Sequence, residues 1–267
     1  MEEGLRRRYL AAMGIPLWLP RGAAHEVVVE PPRARSEARE AVSDLPGPLP
    51  PRPASAPPPV PAPPTEPVFA VAPEPAATEL DNLGWDELQA RVAACRACAE
   101  LVRNRSRTVF GVGNRKAQLM IIGEAPGVDE DRQGEPFVGR AGQLLNLMLK
   151  AIGFPREQVF IANILKCRPP GNRDPHQDEA SRCQPFLLRQ MELVAPKAIL
   201  SVGRISAQNL LKTDAAVGSM RGRVHYFGER RIPLVVTYHP AYLLRSLEQK
   251  AKAWQDLQLL LKTLKRP

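Results

Sequence analysis

The spacing of hydrophobic and polar positions changes repeatedly along residues 81–267, from the period of a helix to that of a strand. Apolar residues recur every three or four positions, as on the buried face of a helix, in five segments: 81–102, 141–153, 178–194, 204–212 and 252–265. Short apolar runs between them are typical of buried strands: 117–122, 158–165, 197–203, 221–227 and 232–238. Either Asp81 or Asn82 is expected to cap the first helix, since both residue types favour that position.

Strands that alternate with helices predict an α/β fold, in which a mostly parallel sheet lies between helices. In such sheets the ligand binds beyond the carboxyl ends of the strands. Four of the predicted strands end in the loops GEAPG, ANILKC, SVG and TYHP. We therefore expect these four loops to converge on one pocket.

The first 80 residues do not share this pattern. Residues 1–22 are predicted to form a short helix followed by the apolar stretch PLWLP. Residues 23–80 contain 16 of the 29 prolines of the chain, and proline lacks the N–H group that helices and sheets need. We expect residues 23–80 to be an extended, disordered linker without a core. Residues 1–22 are then either a frayed end or a tethered docking peptide.

The charge of the chain is concentrated in its C-terminal part. The formal net charge is +9, and residues 1–80 carry 8 basic against 10 acidic side chains, so the whole excess lies in residues 81–267. A basic domain indicates a polyanionic partner, most often nucleic acid, although a merely soluble basic protein fits equally well. No apolar run approaches the ~20 residues of a membrane span, and no secretory signal is recognisable. We expect a cytoplasmic protein.

The four cysteines of the chain are Cys95, Cys98, Cys167 and Cys183. The first two form a CxxC pair, and the other two come from separate elements. Because disulfides are rare in the cytoplasm, we interpret the set as ligands of zinc or of an iron–sulfur cluster. Zinc sites more often contain two tight CxxC pairs, so this spacing favours a [4Fe–4S] cluster with a structural role. Four unrelated buried thiols are the alternative.

The loop after the first predicted strand is strongly acidic, although the domain is basic. It reads GEAPGVDEDRQGEPFVGR and contains five acids: Glu124, Asp129, Glu130, Asp131 and Glu135. It lacks the motifs of a P-loop or a dinucleotide site, and the other strand ends offer few carboxylates for a metal. The acids suit the handling of water or the stabilisation of a cationic transition state. Phe137 is either a lid over the core or a platform on which a base stacks.

Two polar residues stand at the ends of other predicted strands. Asn163 is flanked by apolar residues, and a buried amide must find partners. Its one acceptor and two donors can read the O4 and N3–H edge of uracil and reject cytosine; a bond to its own backbone turn is the alternative. His239 follows the last strand and precedes a proline. A lone histidine is more often structural, but this position is unusual for a core residue.

Four stretches together resemble motifs of the uracil-DNA glycosylase superfamily, specifically its family 4, the iron–sulfur branch: GEAPGVDED, GEPFVGRAGQLL, ANILKCRPPGNR and HPAYLLR. The cysteine spacing is similar as well, and the resemblance covers residues 81–267. It implies a four-stranded parallel sheet between helices and a [4Fe–4S] cluster. It also implies hydrolysis of the N-glycosidic bond of deoxyuridine in DNA. The expected partner is uracil-containing DNA, single- or double-stranded, bound by a monomer.

The resemblance also implies a role for individual side chains once the base is flipped out of the stack. Phe137 would stack on the uracil, and Asn163 would read its edge. His239 would donate to O2 as the leaving base becomes anionic. Leu243 is placed like the family's wedge residue, which fills the space that the base leaves.

The acidic loop departs from the best-known branch of the superfamily. That branch has a water-activating aspartate and a thymine-excluding tyrosine where this chain has Ala125 and Gly127. Glu124 and Glu130 are the matching family candidates for positioning the water, and Glu130 is also a candidate for crowding the thymine methyl group. Gly123 and Ala125 are expected to contact the substrate.

Other interpretations stay open from the sequence. A related branch reacts with the sugar through a histidine in an inserted basic loop, but that insertion is absent here, so we interpret His176 as an ordinary loop residue. Because Gly127 permits a wider pocket, the chain could act on other deaminated bases, such as hypoxanthine or xanthine. It could also be a non-catalytic iron–sulfur DNA-binding protein. Residues 1–22 are a candidate docking peptide for a repair or replication protein.

Overall fold

The computed structural model describes residues 80–265 and four isolated positions near the N-terminus: Gly4, Arg7, Ala11 and Gly14. The predicted N-terminal helix and the proline-rich linker lie outside the described residues, apart from these four positions and Leu80. Residues 80–265 belong to one compact unit. No helix in this described part is long and apolar enough to cross a membrane.

Every segment that the hydrophobic spacing predicted as helix or strand contains an element of that type. Within residues 80–265 the α-helices are α1 (Trp85–Ala94), α2 (Ala99–Asn104), α3 (Val128–Gln133), α4 (Arg140–Ala151), α5 (Gln177–Val194), α6 (Arg204–Leu211), α7 (Val217–Met220), α8 (Pro240–Leu243) and α9 (Lys250–Leu264). The strands are β1 (Val112–Gly113), β2 (Leu119–Gly123), β3 (Phe160–Asn163), β4 (Ala198–Val202), β5 (Val224–Phe227) and β6 (Ile232–Thr237). The α/β class is therefore confirmed.

The strands form one sheet in the order β1-β3-β2-β4-β6-β5. The four central strands are parallel, whereas β1 and β5 pair antiparallel at the two edges. At the carboxyl ends, the register places Gly123 of β2 beside Asn163 of β3, and Val202 of β4 beside Thr237 of β6. The loops that follow these four strands therefore leave the sheet side by side.

The sheet has six strands rather than the four that the resemblance implied. The expected four parallel strands form its centre, and the two antiparallel edge strands are additional. The spacing of residues 221–227 did predict β5. Strand β1 was missed because two residues, Val112 and Gly113, are too short to show a hydrophobic period.

Helices cover both faces of the central sheet. Ile121 points to one face and packs in a cluster with Leu145 of α4, whereas Ile122 points to the other and packs in a cluster with Leu187 of α5. Strands that are buried on both faces are apolar at every position rather than at alternate ones. This explains the continuous runs AQLMII and KAILS, and it fixes the strand ends from which the polar loops emerge.

The first predicted helix differs from the expectation in two respects. It is interrupted between Ala94 and Ala99, so the CxxC pair lies in a turn between α1 and α2. Its N-cap is Gly84, not Asp81 or Asn82, and the Gly84 N–H donates to Glu87 Oε2 at 2.8 Å. A glutamate at the third helical position can replace the missing cap side chain in this way.

Candidate active site

The loops at the carboxyl ends of β2, β3 and β6 enclose one cavity of about 440 Å³. Most of the site residues predicted from the sequence line it: Glu124, Ala125, Glu130, Phe137, Asn163 and His239. Three of the four loops predicted to converge thus line one cavity, whereas the loop SVG after β4 does not contribute to it. The Asn163 and Phe137 side chains both pack closely against the backbone of Gly123. A Cβ atom at this position would be 2.7 Å from the Phe137 ring and in collision with Asn163 Oδ1. Only glycine therefore lets β2 pass beneath the cavity.

The side chain of Asn163 is buried, and its acceptor atom lacks a partner. The residue is 2% exposed, and its Oδ1 has no hydrogen-bond partner. A buried acceptor without a partner costs roughly 1–3 kcal/mol, and buried polar atoms are nearly always paired. Since Asn163 lines the cavity, an N–H donor on a bound molecule can supply the missing partner.

Hydrogen bonding fixes the tautomer of His239. The residue is the N-cap of α8, and its Nδ1 accepts from the Ala241 N–H at 3.1 Å. The proton of the neutral ring is therefore on Nε2, which is left as a donor. Burial lowers the pKa of His239 to about 4, and Arg245 acts in the same direction, while Glu130 opposes it. The ring is thus neutral near pH 7.

Phe137 is held in a backbone conformation that a bulky residue rarely adopts. Its φ is +55°, in the left-handed region, and such strain at a non-glycine residue often marks a functional site. Arg156 fixes the segment by donating to Pro136 O at 2.6 Å and to Phe137 O at 3.2 Å. The ring is 6% exposed and lies 5.6 Å from the His239 ring between centroids. It both covers the core and forms a wall of the cavity.

The two glutamates of the cavity have different surroundings. Burial raises the pKa of Glu124 to about 7, with Asp174 adding to the increase and Arg204 opposing it. Glu130 Oε1 instead accepts from the Val138 and Gly139 N–H groups, at 3.0 and 3.2 Å. Glu130 therefore fixes the loop that carries Phe137, whereas Glu124 is a carboxyl group whose ionisation changes near neutral pH.

Two other acids of the loop take structural roles. Asp131 is 2% exposed and accepts from the Ser106 N–H through both of its oxygens, at 3.0 and 2.9 Å. Asp129 pairs with Arg132 at 2.5 Å on the surface of α3. Residue type alone did not separate these two acids from Glu124 and Glu130, which only the family resemblance singled out.

Leu243, which was predicted to act as a wedge, is buried in this structure. Leu243 is 1% exposed and lines a small apolar cavity with Leu144, Met148 and Leu257. A side chain that fills the space of a flipped base must project from the surface, so Leu243 cannot do so in this structure. The sequence indicated only a short apolar pair, and the packing of α8 against α4 and α9 decides which leucine is buried.

Two arginines of the cavity wall were not singled out from the sequence. Arg173 donates to both oxygens of Glu179, at 2.7 and 2.9 Å, and to Glu100 at 2.8 Å. It therefore ties the loop after β3 to α2 and α5. Arg245 also lines the cavity and adds a positive charge near His239. Its place in the motif HPAYLLR was the only sequence signal for it.

Lys166 was also not predicted from the sequence as part of the site. Lysine is almost never fully buried, so nothing in the sequence indicated that this one is. It is 1% exposed, and its Nζ donates to Asn163 O at 3.0 Å and to Gln190 Oε1 at 2.7 Å. Its backbone N–H donates to Cys183 Sγ at 3.2 Å. Burial lowers the pKa of Lys166 to about 8. This side chain thus connects the strand end that carries Asn163 with the cysteines.

The four cysteines surround a second, small cavity, next to Arg105, Lys166 and Arg182. Among the residues that the structure describes, no group of three His, Cys, Asp or Glu side chains is spaced to hold a metal ion. A single zinc needs all its sulfurs about 2.3 Å from one point, whereas the cysteines of a [4Fe–4S] cluster can bind separate irons around a larger space. Four cysteine side chains around one cavity fit the sulfur donor set of a bound metal centre.

Hydrogen bonds to sulfur support the same interpretation. Arg105 Nη1 donates to Cys167 Sγ at 2.8 Å, and the Lys166 N–H donates to Cys183 Sγ. Such contacts tune sulfur ligands in metal sites. Burial raises the pKa of the Cys183 thiol to about 12, an effect that the Lys166 cation opposes. A thiolate here needs further positive charge, which bound iron would supply.

Comparison with known proteins agrees with the fold and the cavity. The family model of the Uracil DNA glycosylase superfamily matches residues 110–258, which include β2, β3, β6 and the cavity between them. The chain therefore belongs to the Uracil DNA glycosylase superfamily.

Several curated relatives indicate the branch within that superfamily. The Type-4 uracil-DNA glycosylase of Archaeoglobus fulgidus is 42% identical over 165 residues, which are 60% of this chain and 82% of that protein. Those of Saccharolobus solfataricus and Thermotoga maritima are 44% and 40% identical, over 62% and 58% of this chain and 78% and 81% of their own lengths. The chain is a member of the type-4 branch.

Proposed function

We propose that this protein hydrolyses the N-glycosidic bond of deoxyuridine in DNA, which releases uracil and leaves an abasic site for base excision repair. The observation that carries the proposal is the unpaired, buried Oδ1 of Asn163 in the cavity. Uracil N3–H is a donor that satisfies it, and the amide N–H groups can donate to O4. Cytosine presents the opposite polarity at both positions and leaves buried groups unpaired, which a polar site rejects strongly.

His239 stabilises the leaving base in this mechanism. Because its pKa is lowered to about 4, the ring donates a hydrogen bond as a neutral group rather than transferring a proton from an imidazolium. Its Nε2–H faces the growing negative charge on uracil O2. A fixed donor that meets charge as it develops lowers the barrier without reorganisation.

Glu124 acts on the sugar and on the attacking water in this mechanism. The glycosidic bond breaks through an oxocarbenium-like transition state, and a nearby carboxylate favours that cation or orients the attacking water. With a pKa of about 7, Glu124 is available in this ionised form at neutral and higher pH. Glu130 acts instead on the loop of Phe137, whose ring stacks on the base.

Glu130 also explains how thymine is excluded without the tyrosine of the best-known branch. A Cβ atom at Gly127, where that tyrosine stands, would lie 2.7 Å from Glu130 Oε2. The Glu130 carboxylate thus occupies the space beside Gly127, and it crowds the 5-methyl group that distinguishes thymine from uracil.

Cys95, Cys98, Cys167 and Cys183 hold a [4Fe–4S] cluster in this proposal. When bound, the cluster supplies a structural cross-link between the turn of the CxxC pair and the loop that follows Asn163. Purified protein should be brown and contain about four irons per chain. In Cys183→Ser the iron content and the thermal stability should both fall, whereas a full complement of zinc in the wild-type protein would contradict the cluster.

Further parts of the proposal rest on sequence. The basic domain binds DNA through its phosphates as a monomer in the cytoplasm, and residues 1–22 dock a repair or replication protein. Light scattering tests the monomer. Deletion of residues 1–80 tests the docking, and unchanged partner capture and unchanged repair in cells would contradict it.

A second candidate substrate class follows from the size of the cavity. Its volume of about 440 Å³ and the small residue Ala125 leave room for a base larger than a pyrimidine. Hypoxanthine and xanthine carry an N–H next to a carbonyl, as uracil does, so Asn163 can pair with them as well. They belong in the same assay.

The decisive experiment measures base release from labelled DNA that carries one modified base, single-stranded or opposite G or A. Abasic sites are cleaved with alkali. Release of uracil but not thymine, lost in Asn163→Ala, is the expected result. DNA binding without release of any base would overturn the proposed activity and favour a non-catalytic DNA-binding protein.

A further inference from the structure

The burial of Leu243 raises the question of which side chain meets the base stack beside the cavity. The segment that carries His239 continues into the short helix α8, followed by a turn at Arg245. Ala241 and Arg245, four positions apart, both line the cavity. Residues at this spacing lie on the same side of a helical turn. This row marks the side of the segment that faces the site.

Tyr242 lies next to this row. Each helical residue turns the chain by about 100°, so Tyr242 and Leu244 flank the cavity-facing side and Leu243 points further round, into the core. Leu244 packs against that core as well, which leaves Tyr242 as the flanking side chain. The exposed fractions agree, since Tyr242 is 37% exposed and Leu243 is 1% exposed. Tyr242 is thus an aromatic ring that reaches solvent directly beside the cavity-lining residue Ala241.

The ring of Tyr242 is also held in place. It packs against Tyr238, with 5.3 Å between ring centroids and 36° between planes. The Tyr242 N–H donates to His239 O at 2.9 Å, and Tyr242 O accepts from Arg245 and Ser246, at 3.0 and 2.9 Å. A ring that is already ordered loses little conformational entropy when another flat surface stacks on it. This is the property of a platform rather than of a loose surface side chain.

Other exposed apolar side chains lack this combination. Among the described residues, the large exposed hydrophobic side chains are Val128, Leu188, Tyr226, Tyr242 and Leu247. Tyr226 is the other aromatic one, but it lies on the edge strand β5 beneath the guanidinium of Arg231, and no residue of β5 lines the cavity. Leu247 is 61% exposed and follows Arg245 by two positions, but it has no aromatic surface for stacking.

We propose that Tyr242, in place of Leu243, stacks on the base pair that borders the flipped uracil and keeps the duplex open at that point. This inference rests on the proposed function, since it concerns how the same site reaches a base inside a duplex. Stacking of an aromatic side chain on a base does not depend on sequence. The contact should therefore help with any neighbouring base pair, and it should matter most where the uracil has to be extracted from a stack.

The test compares uracil release from a duplex with a U·G pair and from the single strand of the same sequence. The full-length wild type is measured beside Tyr242→Ala, Tyr242→Phe, Leu247→Ala and the control Tyr226→Ala. We expect the duplex-to-single-strand ratio of kcat/KM to fall about tenfold in Tyr242→Ala, a loss typical of one base–aromatic contact. Tyr242→Phe should restore it, because the ring rather than the hydroxyl group stacks. Tyr226→Ala should leave the ratio unchanged.

A fluorescent 2-aminopurine beside the uracil reports the opening of the stack on binding, independently of base release. Its fluorescence increase should be smaller with Tyr242→Ala than with the wild type. An unchanged ratio and fluorescence in Tyr242→Ala, or a loss that appears in Leu247→Ala instead, would overturn the inference while leaving the activity intact. If the wild type releases uracil from neither substrate, the proposed function fails, and the inference fails with it.

Discussion

Replacement of Asn163 by alanine should remove substrate recognition while it leaves the stability of the fold nearly unchanged. In the free enzyme, Oδ1 is buried without a partner, so its removal takes away an unfavourable group as well as some packing. We therefore expect the free energy of unfolding to change by no more than about 1 kcal/mol. Most truncations of a buried side chain cost more than this.

The effect on activity should be much larger. Alanine leaves uracil N3–H and O4 without protein partners in the cavity, and each unpaired buried group costs roughly 1–3 kcal/mol. A total near 3–4 kcal/mol corresponds to a decrease of about 10²–10³-fold in kcat/KM. Single-turnover release of uracil from single-stranded DNA measures this without the contribution of base flipping from a duplex.

A matched control is Asn209→Ala, in helix α6. The Asn209 side chain donates to Ile205 O at 2.8 Å and does not line the cavity, so activity should stay near that of the wild type. The reasoning would be refuted if Asn163→Ala kept more than about a tenth of the activity. It would equally be refuted if the variant lost several kcal/mol of stability, because Asn163 would then be a structural residue.

Three further changes test the other parts of the site. Because the pKa of Glu124 is raised to about 7 and its carboxylate is the active form, activity should increase with pH through this range, and Glu124→Gln should be slow without this increase. The raised pKa also means that ionisation of Glu124 destabilises the fold, so Glu124→Gln should raise the melting temperature more at pH 8 than at pH 5. Glu130→Ala should admit thymine to a measurable extent while lowering uracil release, since the space beside Gly127 opens and the Phe137 loop loses its anchor. Arg156→Met should slow uracil release about tenfold or more, because two charge-assisted hydrogen bonds to Pro136 and Phe137 are lost.

These three expectations fail in different ways. A pH profile that is the same in Glu124→Gln as in the wild type would assign the titration to another group. Complete exclusion of thymine by Glu130→Ala would show that another side chain excludes the methyl group. Wild-type rates in Arg156→Met would mean that the position of Phe137 does not depend on the guanidinium.

Hydrophobic spacing was sufficient to predict most elements of this fold. Segments 141–153 and 117–122 could be assigned directly as helix and strand. In a half-buried helix the apolar residues recur every three or four positions, whereas in a fully buried strand they form a continuous run. Strand β1 and the Gly84 cap were not predictable in this way. A strand of two residues and a cap formed by Glu87 depend on partners that local sequence does not show.

Some site residues could be predicted from the sequence and others could not, because the contacts of a side chain depend on residues distant in sequence. Asn163 and His239 were identified because each is a polar residue at the end of an apolar strand, where loops converge in a parallel sheet. Asp131 and Glu130 are adjacent in sequence, yet one binds the Ser106 backbone and the other the Phe137 loop. Lys166 gave no sign of its burial.

The sequence by itself determined the order of strands and helices, the parallel arrangement and the polar residues at the strand ends, because these follow from local spacing and chain connectivity. Only the tertiary structure decided which side chains share the cavity and which are buried. Leu243 and Tyr242 show the difference most clearly, since two neighbouring residues point in directions about 100° apart on α8. Which of them meets solvent depends on where α4 and α9 pack, and residues distant in sequence set that packing.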